Sequence, residues 1–402
     1  LSSIKKKLFQ RLNDVQPSTK LTINSLSKPF RRAKLPSKKQ GYHFFRYLCV
    51  TKQRLQMQNN ETKPLIGCTL DDLRNLVAAH HMPGFTAGQI AKWLYDKRVE
   101  SIDEMTNLSK AARQQLVSEG YSVGREQPLS AACSSDGTVK YLFRGAVDRD
   151  VEAVYIPDRE RATLCVSSQA GCKMNCSFCM TGRQGFHGNL TSAQIINQIL
   201  SIPQWAELTN IVFMGMGEPL DNFDAVLRVI DILTSKWGMA WSPKRITVSS
   251  IGKLRELQRL LNETKVHVAI SIHSPFPDER GELMPVEKAF PINEVLKLLS
   301  QYDFSHQRRL SFEYTMFRGV NDSQRHCREL ARLLRNLNCR VNLIRFHAIP
   351  DSDLQPCSLE QMERFRDTLN AEGITATIRA SRGEDIYAAC GMLAGKGKQQ
   401  HN

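Results

Sequence analysis

Three cysteines in the stretch GCKMNCSFC, Cys172, Cys176 and Cys179, are spaced C-x3-C-x2-C. One loop can therefore present three thiolates to a single inorganic centre. Thiolates are soft ligands that select iron–sulfur clusters or zinc. A cubane cluster is ordinarily held by four cysteines, so three close ones leave one iron open to a further ligand, as a catalytic zinc keeps an open position. The competing reading is zinc completed by a distant residue. It calls for a second Cys or His pair at compact spacing, and none lies nearby. An iron–sulfur cluster is the expectation.

Other residues could serve such a centre. Met214–Gly215–Met216–Gly217–Glu218–Pro219 ends an apolar run. Glycine lets backbone approach a ligand closely, and a carboxylate accepts bonds from an ammonium group. Taken alone the stretch reads as a tight turn with a capping acid. Ser249 ends one strand-like run and Ser271–Ile272–His273 another. A lone His273 would be a satisfied core histidine, but its place at a strand end argues for a ligand role. Cys165 alone reads as a small core hydrophobe, whereas Cys390 sits in a flexible-looking Ala-Ala-Cys-Gly context. Glu152 is equally a base or an exposed strand acid.

The elements that must position these residues alternate. Strands are expected at 162–167, 210–215, 245–250, 266–272, 309–316, 340–346 and 374–380. Helical spacing fills 191–203, 222–236, 253–263, 292–301, 323–337 and 358–371, and Thr191…Gln194 and Ser358…Gln361 look like capping boxes. Such alternation implies a parallel sheet with right-handed crossovers. The count falls short of the eight units of a closed barrel, so an α/β fold with a partial (βα)6 barrel is expected over 161–395, its chemistry at the C-terminal strand ends. Upstream, 61–125 reads as a helical module, with Thr69 and Asp72 as a cap, a break at Pro83–Gly84, and Trp93 and Tyr95 as core. Residues 126–160 read as a β-hairpin linker with a turn at Asp136–Gly137. A short tail covers 396–402.

With these motifs in view, the chain resembles the radical S-adenosylmethionine (SAM) enzymes. The stretches TLCVSSQAGCKMNCSFC (163–179), FMGMGEPLDN (213–222), ISIH (270–273) and RGEDIYAACGMLAG (382–395) are similar to the RlmN family, which methylates adenine carbon-2 in rRNA. The likeness covers about residues 68–395.

That resemblance implies a [4Fe-4S] cluster on Cys172, Cys176 and Cys179, with its open iron chelated by SAM. It implies SAM contacts at Gly217, Glu218, Ser249, Ser271, Ile272 and His273. Where the family commonly has Asn, this chain has His347, which puts that contact in question. It further implies that Cys390 is itself methylated, that Cys165 resolves the adduct through a transient disulfide, and that Glu152 is the base. Adenine carbon-2 is electron-poor, so a methyl donor that needs a nucleophile cannot reach it directly; a thiolate can be methylated first. The implied partners are 23S rRNA, a tRNA in some members, and a flavodoxin or ferredoxin as electron donor. A monomer without membrane association is expected.

Charge adds less than its total suggests. The net charge is +15, but residues 1–56 hold fourteen Lys and Arg against Asp14 alone, so thirteen of the fifteen charges lie there. This basic segment is open to three readings: an organelle transit peptide, an RNA-binding tail, or an upstream stretch translated from a mis-set start before Met57. We favour the last. The eleven cysteines are odd in number and scattered, which suits a reducing compartment better than a disulfide framework; the cytoplasm is expected, or an organelle if the leader is a transit peptide. No apolar run reaches the ~18 residues of a membrane span. Two other activities stay open: methylation of adenine carbon-8, as in the sister family, and non-catalytic RNA binding by an iron–sulfur protein. Small-molecule radical chemistry is disfavoured by the helical module.

Overall fold

Each parallel strand from Arg161 onward, except the last, is followed by a helix whose apolar face covers the sheet, and this repetition builds the molecule. The computed structural model describes residues 62–147, 149–306 and 308–395. The readings of the basic leader and of the 396–402 tail lie outside the described residues.

Ten strands form one sheet in simple chain order: β1 Ser130–Cys133, β2 Val139–Phe143, β3 Val151–Asp158, β4 Arg161–Cys165, β5 Asn210–Phe213, β6 Ile246–Ser250, β7 His267–Ser271, β8 Leu310–Met316, β9 Cys339–Arg345 and β10 Thr375–Arg379. Strands β4 to β10 are parallel. Six helices connect them: α4 Ser192–Leu200, α5 Phe223–Thr234, α6 Leu254–Glu263, α7 Ile292–Leu299, α8 Gln324–Leu334 and α9 Leu359–Ala371. This is the expected partial (βα)6 barrel, with β1 and β10 as its edges.

Strand periodicity separates a polar lumen from an apolar outer layer. On β8, Phe312, Tyr314 and Met316 are buried in the main core, while Ser311 and Glu313 on the opposite face line a central cavity of about 400 Å³. Thr163, Thr247, His267, Asn342, Thr377 and Arg379 line the same cavity.

Two expectations change. Residues 126–160, expected as a β-hairpin linker, are continuous with the barrel sheet. They add three antiparallel strands, β1 to β3, to the barrel sheet through β4. The turn at Asp136–Gly137 joins β1 to β2, with Gly137 at φ +84°. The capping box expected before α9 is half made: Ser358 accepts from the Gln361 amide at 3.2 Å, but the Gln361 side chain donates to the Asp322 carbonyl instead. The box before α4 is complete.

The helical module, α1 Leu70–Ala79, α2 Thr86–Lys92 and α3 Lys110–Ser118, shares one continuous apolar core with the barrel. Tyr95 is buried and meets the Trp237 ring edge-on at 6.0 Å. Gly67 lies so close to the start of α4 that a Cβ there would sit 2.3 Å from the Ala193 nitrogen.

Candidate active site

The cysteine loop leaves β4 through a small hairpin, Gln169–Gly171 with Phe186–Asn189. The Cys172 amide donates to the Gly185 carbonyl (2.9 Å), and the Cys179 amide donates to the Cys176 carbonyl (3.1 Å), which turns the chain into a short helical segment, Met180–Arg183. Arg183 fastens the loop from outside, donating to the carbonyls of Ser177, Pro350 and Asp351. A satellite apolar cluster that includes Leu283, Met284, Phe317 and Phe346 packs against Met174, Cys176, Phe178 and Met180. This shell keeps water from one side of the thiols.

Do these residues fit an iron–sulfur cluster? Burial pushes the Cys172 thiol up to about 12 and raises Cys176 and Cys179 as well; the charge of Cys179 adds to the rise at Cys172 and Cys176, and that of Cys172 at Cys176. Of nearby cations, Arg280 alone works on Cys176 against this. Among the described residues no three His, Cys, Asp or Glu side chains are arranged to hold a single metal ion. Three clustered, poorly compensated thiols suit a larger cationic unit, whose own charge makes coordinating thiols thiolates.

Beside the loop, Glu218 is buried with both oxygens engaged. Oε1 accepts from the Leu220 amide at 3.0 Å and Oε2 from the Ile251 amide at 3.1 Å. Burial raises its carboxyl to about 7 despite these bonds. Gly217 adopts φ +96°, and a Cβ there would lie 2.4 Å from the Gln169 Cβ. The turn is therefore structural in its own right, and the Ser250 hydroxyl adds a further bond to the Glu218 carboxylate.

Ser249 and Ser271 share the strand face of Thr247 and His267, so they sit at the top of the lumen. Ile272 is buried, its amide donating to the Glu313 carbonyl. His273 is buried at φ +53°. The Thr315 amide donates to its Nδ1 at 2.9 Å, so the ring is a neutral imidazole with its proton on Nε2. Burial, helped by Arg280, holds it down at about 3.

His347 is placed differently. Its Nε2 pairs with the Ser381 hydroxyl at 2.9 Å and its Nδ1 with Glu384 at 3.1 Å. Both ring nitrogens serve the segment that leads to Cys390.

Cys390 is exposed, and Cys165 is buried at the end of β4. Both are free thiols, and no disulfide joins any described cysteines. Burial first, and then the charge of Cys390, push Cys165 up to about 12, with Arg379 pulling the other way. Arg379 is itself raised, by Cys390 first and by Glu313. The Cys390 segment is pinned at its far side: the Met180 amide donates to the Gly391 carbonyl (2.8 Å) and the Thr181 hydroxyl to the Leu393 carbonyl (2.6 Å).

Glu152 is buried, which removes the reading of an exposed acid. Its Oε2 accepts from the amides of Ala394 (2.9 Å) and Gly395 (3.2 Å), and its Oε1 lies 3.1 Å from the Lys140 ammonium. It holds the same segment that carries Cys390.

Sequence reasoning missed Arg379 and Glu313. Glu313 is buried, with Oε1 bonded by Asn342 (2.7 Å), and its Oε2 has no hydrogen-bond partner and lies 3.9 Å from Arg379. The signal was present in the alternation Ser311, Glu313, Thr315 along a strand buried on both faces.

The chain is similar to known proteins over most of its length. Residues 166–334 match the model of the radical SAM superfamily, and residues 63–120 match that of the ribosomal RNA large subunit methyltransferase N-terminal domain. A probable dual-specificity RNA methyltransferase RlmN of Phocaeicola vulgatus is 61% identical over 84% of this chain and 96% of its own length. The dual-specificity RNA methyltransferase RlmN of Halorhodospira halophila is 44% identical over 78% of this chain and 88% of its own. The crystal structure of a radical SAM methyltransferase from Sphaerobacter thermophilus superposes with a TM-score of 0.77 at 40% identity, covering 82% of this chain and 98% of that one.

Proposed function

The chain belongs to the RlmN family of radical SAM RNA methyltransferases, and on that premise we propose that it forms 2-methyladenine in 23S rRNA and in tRNA, carrying the methyl group on Cys390. The observation that carries this reading is the pairing of an exposed Cys390 with a buried Cys165 beside Arg379. A protein that only bound RNA would need none of the three.

Cys172, Cys176 and Cys179 would hold a [4Fe-4S] cluster, with Gly217, Glu218, Ser249, Ser271, Ile272 and His273 around SAM. When bound, these cofactors supply the methyl group and the radical that activates it. The residues of the chain do the rest. Cys390 takes the methyl on its sulfur, the nucleophile being the thiolate form, with the Arg379 guanidinium close by. His347, tied to Ser381 and Glu384, positions the Cys390 segment. Cys165 attacks the Cys390 sulfur, so the sulfur–carbon bond breaks toward the nucleotide and a disulfide forms. Glu152 accepts the carbon-2 proton once Ala394 and Gly395 leave its Oε2. The reducing electron comes from a flavodoxin or ferredoxin, and the enzyme works as a cytoplasmic monomer.

Nucleoside mass spectrometry of rRNA and tRNA, from cells with and without this protein, tests the reading. We expect 2-methyladenosine only where the protein is present. 8-Methyladenosine in its place would overturn the carbon-2 assignment, and no methylated adenosine would overturn the function.

A further inference from the structure

The N-terminal mouth of the barrel is lined by cations that no described residue neutralises. In this architecture that mouth ordinarily serves stability, with chemistry at the opposite end. Here Arg161 opens β4, Lys244 precedes β6, His267 opens β7, Arg309 precedes β8 and Arg340 lies at the start of β9. They surround the lower part of the lumen and a confluent cavity of about 380 Å³, which shares His267, Arg309 and Arg340 with it.

Two other arginines of this end show what structural use looks like. Arg308 is buried and donates to the carbonyls of Leu261, Thr264 and Val266, closing the end of α6. Arg245 donates to the carbonyls of Leu208 and Thr209 and lies over the Trp241 ring at 3.9 Å. By contrast, the side chains of Arg161, Arg309 and Arg340 have no hydrogen-bond or ion-pair partner among the described residues. Of the carboxylates that line the lumen, Asp158 is paired with Arg382 (3.3 Å), and Glu313 lies deeper, near Arg379. The crowding leaves its mark: burial, and then Arg340 and Arg161, lower Arg309, while burial, Arg309 and Lys244 hold His267 down at about 4. Like charges gathered without counter-charge cost stability unless an anion joins them. Three guanidinium forks around a concave opening match a tetrahedral oxyanion.

We propose that this mouth is a phosphate-binding site, filled by backbone phosphate of the RNA on which the enzyme acts. The inference rests on the RNA-directed function above. The phosphate contacts made here set the register of a large RNA while an adenine is presented at the opposite mouth. Such contacts position a nucleic acid without reading its bases.

The test is RNA binding by the reconstituted holoenzyme without turnover, so it reads the site whether or not the methyl chemistry proceeds. Arg309→Ala/Arg340→Ala should weaken binding of a tRNA substrate at least fivefold. It should also flatten the plot of log affinity against log salt by about one to two, since each phosphate contact contributes roughly 0.7 to 0.9 to that slope. The milder Arg309→Gln/Arg340→Gln pair should behave alike. Both variants should melt no lower than the parent in the absence of RNA. An unchanged affinity and slope overturns the proposal. So does a clear fall in melting temperature, which would make these arginines structural. A third arm uses inorganic phosphate: if it raises the melting temperature of the parent but not of the variants, while the RNA slope is unchanged, the mouth holds a free oxyanion and the RNA assignment fails.

Discussion

The two mouths of the barrel use the same strands and opposite chemistry. At the C-terminal mouth, Cys390 is exposed, but three ionisable groups around it are buried and each has a fixed neighbour: Glu218 between two amides, His273 under the Thr315 amide, Glu152 under the Ala394 and Gly395 amides. At the N-terminal mouth, Arg161, Lys244, Arg309 and Arg340 are exposed and crowd together. Burial fixes which protonation state a group keeps, which chemistry needs. Exposure leaves a charge strong only when an anion arrives, which suits reversible contact. The difference teaches that position along a strand, rather than residue type, separates the reactive end from the charged one.

The largest effect that sharpens this comparison falls on the cysteine loop. Replacing Cys172, Cys176 and Cys179 together by Ala should remove all bound iron and all activity after anaerobic reconstitution. Far-ultraviolet circular dichroism should stay unchanged, because the sheet is built without the loop. A variant that keeps its iron would break the account of the C-terminal mouth.

The next effect separates the two kinds of arginine at the other end. Arg308→Ala strands three backbone carbonyls and should cost about 2–4 kcal/mol in denaturant unfolding. Arg309→Ala, one residue along, should stay within about 0.5 kcal/mol of the parent. Equal losses would erase the distinction.

A smaller effect is a pH dependence. The Arg309 amide donates to Nδ1 of His267, and the ring is held well below the ordinary histidine range, near 4. With its folded value depressed, the unfolded chain binds more protons between about pH 4 and 6.5. The neutral ring therefore contributes stability in full above about pH 6.5, and this is lost as pH falls toward 4. His267→Gln should flatten that acid limb in thermal melts, and an unchanged limb would show that the charges around His267 are not felt.

Much of this was legible in the residues. All seven parallel strands were expected within two residues at each end, because apolar runs bounded by helical spacing leave few alternatives. The cysteine loop was legible because its spacing is local. What escaped was non-local. Strand β1, Ser130–Cys133, is short, mostly exposed and built of small residues, so no alternation marks it. Arg280 is fully buried in a short helix, Pro277–Leu283, beside Glu287, a pairing that nothing in the linear pattern announces. Arg379 and Glu313 meet only because β8 and β10 flank β9. His347 was expected at the cofactor, and its bonds to Ser381 and Glu384 depend on how the last segment folds back.

The central claim is that Cys390 carries the methyl group and Cys165 releases the product, and Cys165→Ala tests it most directly. On that mechanism the variant should load the methyl and add to the RNA, but lack the thiol that frees Cys390. After incubation with RNA and SAM, a denaturing gel should show protein covalently bound to RNA, and nuclease should collapse the band. As a mere core residue, Cys165 would cost about 1–2 kcal/mol at most on truncation and give no cross-link. Near-normal turnover with no shifted band would contradict the two-cysteine mechanism.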